Sequence, residues 1–157
     1  MPIADFYAVC GPWVHPDTIA AVVAVESGGH PWAIGTPHGA YFPNTHSEAV
    51  RVLASSLRSE SSVDIGLMQI NSQWLPKLRI APTSLLDPCT NVRVGAAILA
   101  TNFVAAQRPG RTLLATLVAA LSAFNSGSES GAVSYAAKVL SVRVRSKQLP
   151  AGANDAR

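Results

Sequence analysis

Pro16-Asp17-Thr18-Ile19-Ala20-Ala21-Val22-Val23-Ala24-Val25-Glu26-Ser27-Gly28-Gly29 reads as a short helix with both ends marked. Pro16 suits a first helical position, where its missing N–H is not needed. Asp17 and Thr18 put polar oxygens beside the free N–H groups of the first turn. Gly28 or Gly29 can take the left-handed conformation that ends a helix. Ile19, Val22, Val23 and Glu26 recur at helical spacing and share one face. That face is otherwise apolar, with a carboxylate at its C-terminal end. Burial disfavours the charged form of an acid, and the negative end of the helix dipole repels it. Both effects favour a protonated Glu26 near neutral pH, the state a general acid needs. The same helix also admits a solvated Glu26 pointing off the stripe.

Working outward, 157 residues suit one domain with a core of its own. With 48% apolar and 13% charged residues, composition argues against disorder. No apolar run reaches the roughly 18 residues expected of a membrane span. Charge is uneven: residues 1–70 carry −4 and residues 71–157 carry +7. A basic half suits an anionic polymer, but no basic run is interleaved with aromatics, which argues against nucleic acid. Cys10 and Cys89 are either free core thiols or, in an oxidising compartment, one bridge worth about 4.5 kcal/mol by chain entropy. Met1–Val9 has neither the basic start nor the apolar core of a secretory leader.

Along the chain, Phe6, Tyr7, Val9 and Trp13 are expected to pack beside the first helix. His30–Asn44, rich in Gly, Pro and aromatics, reads as an irregular loop. His30, His38 and His46 do not have a metal-ligand spacing. Thr45 and Glu48 form a capping box for a helix whose buried stripe is Val50, Leu53, Ala54 and Leu57. Val63–Ser72 is a mixed, partly buried segment with Gly66 permitting an unusual turn. Asn91 opens a long helix with Val92, Ala96, Leu99 and Phe103 buried. Leu113–Phe124 is apolar nearly all round and is predicted to be central. Gly127–Gly131 has the glycines of a nucleophile elbow, but Glu129 occupies the serine position. Val133, Ala136, Ala137 and Leu140 mark the last helix.

Three segments together resemble the lytic transglycosylase family, with its lysozyme-like fold: Val25-Glu26-Ser27-Gly28, Gly66-Leu67-Met68-Gln69-Ile70-Asn71 and Ala123-Phe124-Asn125-Ser126-Gly127. They are similar to the family's Glu-Ser, Gly-Leu-Met-Gln and Ala-Tyr-Asn-x-Gly motifs, in the same order. Cys10-Gly11-Pro12, Pro16-x-Thr18, Ala33-Ile34-Gly35, Asp64-Ile65-Gly66 and Cys89-Thr90-Asn91-Val92-Arg93-x-Gly95 further resemble the wall-lysing component of type IV secretion and conjugation systems.

The resemblance implies a mainly α protein of the α+β lysozyme-like superfamily. It would form a single compact helical domain over 1–142, with an irregular segment around 30–45 and a mobile C-terminal tail over 143–157. It implies cleavage of the bond between N-acetylmuramic acid and N-acetylglucosamine, leaving an anhydro-muramoyl end. Glu26 would be the single catalytic acid. Ser27, Met68, Gln69, Asn71, Phe124 and Asn125 would form the substrate-binding set. No metal and no cofactor are implied. Peptidoglycan strands and type IV secretion components are the implied partners of a monomeric, periplasmic protein without a membrane span, its signal peptide absent from this chain. An oxidising periplasm favours the Cys10–Cys89 bridge. One departure is Phe124, where the family has tyrosine; Tyr135 is the candidate for a substitute hydroxyl. Two alternatives remain: a hydrolytic goose-type lysozyme, with Asp64 positioning water, and a non-catalytic wall-binding assembly factor.

Overall fold

A computed structural model describes residues 2–142; the tail assigned to 143–157 lies outside the described residues. Seven α-helices and a small antiparallel sheet make it up, the mainly helical architecture expected. α1, Ile3–Cys10, is a helix where only an apolar lead was expected. Tyr7 and Cys10 are buried and Phe6 packs against the core, whereas Val9 and Trp13 are exposed. The helical period explains the split. Phe6, Tyr7 and Cys10 share a face, and Val9 falls outside it.

α2, Pro16–Glu26, has the ends its sequence marks, with one change. The first-turn amide of Asp17 is capped by His15, whose Nδ1 accepts it at 3.2 Å. Ile19, Val22 and Val23 are buried, and Gly28 and Gly29 turn the chain at φ +62° and +87°. The segment around 30–45 is not all irregular. It holds a hairpin, β1 Ile34–Thr36 and β2 Gly39–Tyr41, closed by the Thr36 hydroxyl, which donates to the Gly39 carbonyl at 2.9 Å. Such a threonine-closed turn is visible only once both strands are placed, because three-residue strands carry too little alternation to read.

α3, His46–Ser59, starts at Thr45, whose hydroxyl accepts the Glu48 amide at 3.2 Å. The Glu48 carboxylate reaches back to the Asn44 amide rather than to that of Thr45. Its buried face is Ala49, Leu53 and Ser56, rotated from the expected stripe; Ala54 is exposed. β3, Asp64–Ile65, and β4, Ile70–Asn71, complete the sheet in the order β2-β1-β3-β4. α4, Leu75–Leu78, follows one turn of 3₁₀ helix.

α5, Pro88–Ala106, begins three residues before Asn91, because Asp87 accepts the Thr90 amide at 2.8 Å and Pro88 takes the first position. At 19 residues it is long and apolar enough to cross a membrane by length and composition. Here its buried residues, among them Val92, Ala96 and Leu99, pack into the core. α6, Leu113–Ser126, packs between α5 and α7, Val133–Ser141. It is central only beyond its first turn: Leu113 and Leu114 are exposed, while Ala120 and Leu121 are buried. In α7 the buried residues are Ala136 and Val139; of the other residues that mark the helix in sequence, Val133, Ala137 and Leu140 are exposed.

Two ties hold the layers. The Cys10–Cys89 disulfide joins the end of α1 to the start of α5, with Cα atoms 5.1 Å apart and a sequence separation of 79. Chain entropy assigns such a loop about 4.5 kcal/mol. Glu129 accepts from Arg108 and Arg111, each at 2.8 Å. Its place in Gly127–Gly131 is therefore structural: it clamps the α5–α6 connection to the turn after α6.

Candidate active site

The end of α2, the β3–β4 hairpin and the end of α6 meet around a cavity of about 470 Å³. Glu26, Asp64, Gln69, Asn71, Phe124 and Asn125 line it. The structure thus brings together residues from three distant segments of the chain.

Glu26 is the last residue of α2. Its Oε1 accepts a hydrogen bond from the Tyr135 hydroxyl at 2.5 Å. Burial pushes the Glu26 carboxyl up to about 7; the Tyr135 hydrogen bond and Lys138 pull it down, and the Asp64 charge adds to the rise. Burial, followed by the neighbouring Glu26, holds the Tyr135 hydroxyl far above its ordinary value, so it keeps its proton and donates. Tyr135, on α7, thus brings a hydroxyl to the Glu26 carboxyl, while residue 124 carries none. Phe124 itself lines the cavity.

The turn between β3 and β4 is Gly66-Leu67-Met68-Gln69. Gly66 has φ +78°, and a Cβ there would stand 2.2 Å from Asn91 Nδ2 and 2.7 Å from the Leu85 carbonyl, so only glycine fits. Gln69 holds φ +46°, a left-handed conformation costly for a side-chain-bearing residue. Its Nε2 donates to the carbonyls of Ala33 and Gly66 at 3.1 and 2.9 Å. Those two bonds lock the amide across β1, where Gly35 leaves room: a Cβ there would lie 2.7 Å from Gln69 Oε1. Asn71 Nδ2 donates to Asp64 Oδ1 at 2.9 Å, and its Oδ1 accepts the Gln73 amide. Burial raises the Asp64 carboxyl, against that hydrogen bond. Asn125, exposed at the end of α6, has no side-chain hydrogen bond among the described residues.

Two of the residues expected to contact substrate are buried. Met68 is wholly buried, packed on Gly95 of α5 so tightly that a Cβ there would meet its Sδ at 2.5 Å. An apolar thioether at the inner corner of a hairpin fills the core, and it does not reach the cavity. Ser27 is also buried; its Oγ donates to the Leu67 carbonyl at 2.8 Å and accepts the Gly29 amide at 3.2 Å. It ties the end of α2 to the β3–β4 turn, which sets Glu26 against Gln69, and it does not line the cavity. Sequence reasoning missed Gln73, Trp74, Lys77 and Ile98, which also line it. Trp74, a partly exposed indole three residues beyond Asn71, was the available signal. Among the described residues no group of three or more His, Cys, Asp or Glu could hold a metal ion.

Chemically, a carboxyl that is half protonated near neutral pH can donate a proton and take one back within one cycle. Exposed amides and an indole beside it suit a neutral, hydroxyl-rich ligand.

The transglycosylase SLT domain family matches residues 6–138. Protein virB1 of Agrobacterium fabrum is 34% identical over 125 residues, 78% of this chain and 51% of that protein. Type IV secretion system protein virB1 of Brucella suis biovar 1 is 37% identical over 92 residues, 57% of this chain and 39% of its own length. Protein virB1 of Rhizobium radiobacter is 32% identical over 120 residues, 75% of this chain and 50% of that protein. The chain spans about half the length of the curated relatives it matches, or less. No solved structure matches it. With nearly the whole described chain inside the match, and the Glu26 helix, the Gln69 turn and the Asn125 helix end facing one cavity, this chain belongs to the transglycosylase SLT domain family.

Proposed function

We propose that this chain is a peptidoglycan lytic transglycosylase that opens the cell wall locally for a type IV secretion or conjugation apparatus. The observation that carries the reading is Glu26: a carboxyl raised to about 7 by burial, held by Tyr135, on a cavity lined with amides. The relatives' names support the secretion context. The disulfide supports a periplasmic site of action, since such bridges persist in oxidising compartments. Residues 1–142 form the proposed catalytic unit.

In this mechanism protonated Glu26 gives its proton to the glycosidic oxygen between the muramoyl and glucosaminyl sugars. The C1–O bond breaks as positive charge develops at the muramoyl C1. The substrate's own N-acetyl oxygen stabilises that centre. Glu26, now a carboxylate, takes the proton of the muramoyl C6 hydroxyl, whose oxygen bonds to C1. The proton count closes, no water is consumed, and the product is a 1,6-anhydro sugar. Gln69, locked by two backbone carbonyls, offers a rigid acceptor, and Asn71, Asn125 and Phe124 complete the sugar contacts. Ser27 and Met68 act from behind, fixing the two segments that carry Glu26 and Gln69.

Asp64 favours a second reading, hydrolysis, because it lines the same cavity and its charge acts on Glu26. Product mass separates the two. Digestion of purified peptidoglycan is expected to release anhydro-muramoyl products. Products heavier by one water would assign a hydrolase, and intact peptidoglycan after treatment with folded protein would remove the enzyme reading. The non-catalytic assembly factor drew on the missing hydroxyl at Phe124, and Tyr135 supplies one.

Tyr135→Phe tests that hydroxyl. Its hydrogen bond lowers the Glu26 pKa, so its loss raises it further. The activity limb that falls with rising pH, set by loss of the Glu26 proton, is expected to move to higher pH. At pH 5, where Glu26 is protonated either way, the rate drops about tenfold or more as a hydrogen bond to an ionisable group is lost. A pH–rate profile of peptidoglycan clearing checks both. An unmoved limb would mean that Tyr135 does not act on Glu26.

A further inference from the structure

Beside the cleft lies a second hollow of about 300 Å³. Trp74, Lys77 and Ile98 line both, so the two share a wall. The second has apolar walls of Leu78, Val94 and Ala97, with Arg93 and Lys77 exposed at it. Neither cation has a carboxylate within 4.0 Å among the described residues. Lys77 Nζ stands 5.1 Å from the Trp74 ring centroid, a cation–π contact that holds the charge over the shared wall. The two carboxyls of the cleft, Glu26 and Asp64, do not line this hollow. Charge is therefore graded: both acids line the cleft, Lys77 stands on the shared wall, and Arg93 lines the hollow alone.

The hollow is poor in groups that could read a sugar. Asn102 already donates to the Ala120 carbonyl at 3.5 Å, leaving the Thr101 hydroxyl and the Trp74 indole N–H as its uncharged side-chain groups without a bond among the described residues. An apolar floor with two cations suits a short aliphatic chain bearing free carboxylates. A volume of about 300 Å³ is too small for a partner's helix, whose diameter is roughly 10–12 Å with side chains. Resting on the peptidoglycan reading above, one such chain is delivered with the substrate, because each muramoyl sugar carries a peptide through its lactyl ether. Covalent attachment raises its local concentration at a site next to the sugar.

We propose that this hollow is a subsite for the peptide stem of the muramoyl residue held in the cleft, its aliphatic parts against Trp74, Val94 and Ala97 and its carboxylates against Lys77 and Arg93. The chain would then select strands that still carry peptides over stripped ones.

The experiment compares cleavage of peptide-bearing glycan strands with cleavage of the same strands after an amidase has removed the peptides. Wild type is expected to prefer the peptide-bearing strands. In Arg93→Glu the ratio of the two rates falls about fivefold, the size of one partly exposed ion pair. In Thr101→Trp, which fills the hollow, it falls towards one. Each ratio is internal to one protein, so partial misfolding does not change it. Equal rates on both strands in wild type, or an unchanged ratio in both variants, would overturn the subsite and leave the cleavage reading standing. If wild type cuts neither strand, the cleavage reading fails. Titration of free L-alanyl-γ-D-glutamyl-diaminopimelate, followed by the Trp74 indole NMR signal, then decides the hollow alone. A shift lost in Arg93→Glu supports it. No shift, or an equal response to an acidic peptide of ordinary L-residues, overturns it.

Discussion

Glu26→Gln is expected to lower peptidoglycan cleavage by about a thousandfold, the scale of removing a general acid–base group. The same change is expected to make the protein more stable at alkaline pH. The folded-state value lies near 7, against 4.5 for an ordinary glutamate. Between those values the folded state holds a proton that the unfolded chain releases, so wild-type stability falls as pH rises through this window and stays low above it. At 1.36 kcal/mol per pKa unit the loss is roughly 3 kcal/mol. Glutamine never ionises, and its carbonyl still accepts from Tyr135. Urea unfolding at pH 4 and pH 8 should therefore give a wild type that loses stability and a variant that does not. A variant with no activity and no stability gain at pH 8 would place Glu26 in solvent and remove the physical basis of its role. A variant that still cleaves would remove the role itself.

Asn91→Ala is expected to destabilise the fold by roughly 3–5 kcal/mol, a large part of the 5–15 kcal/mol of an average domain. Asn91 is fully buried and divides its amide between the β3–β4 hairpin and the Leu85 segment. Its Oδ1 accepts the Met68 amide at 2.8 Å, and its Nδ2 donates to the carbonyls of Ile65 and Leu85 at 2.7 and 2.9 Å. Alanine would leave one buried N–H and two carbonyls without that partner. It would also free the Gly66–Gln69 turn, so Gln69 loses its place against β1. Urea denaturation gives the stability, and the pH–rate profile at a temperature where the variant is still folded gives the effect on the site. A loss below about 1 kcal/mol would show that the turn holds without the amide.

Asn91 also marks where sequence reading ran out. Its position near a helix start is legible from Asp87-Pro88 and the apolar spacing that follows. That it reaches across 23 residues of sequence to the Met68 amide is not, because nothing local records which turn a buried amide faces. Met68 is a related case. It sits inside a motif that resembles a sugar-contacting one, but it lies in the turn between two-residue strands, where no alternation says which neighbour points inward. Ser27 belongs to the same case: its hydroxyl serves the backbone of Leu67 rather than the cavity. The exposed starts of α6 and the rotated faces of α3 and α7 followed from apolar residues more numerous than the places to bury them.

Tyr135 lies between these extremes. The missing hydroxyl at Phe124 raised the question of a substitute. Only the packing of α7 against α2 brings residues 109 positions apart into one hydrogen bond.

By itself the sequence determined the helix that carries Glu26, since proline, an apolar period and two glycines are local signals of backbone geometry. It also determined the family, because three short motifs in one order survive without knowledge of their contacts. The tertiary structure alone decided that burial raises the Glu26 carboxyl to about 7, that Tyr135 holds it, and that Met68 and Ser27 stand behind the cavity. Those properties depend on burial and on distances between segments far apart in the chain, and such distances exist only after the helices have packed.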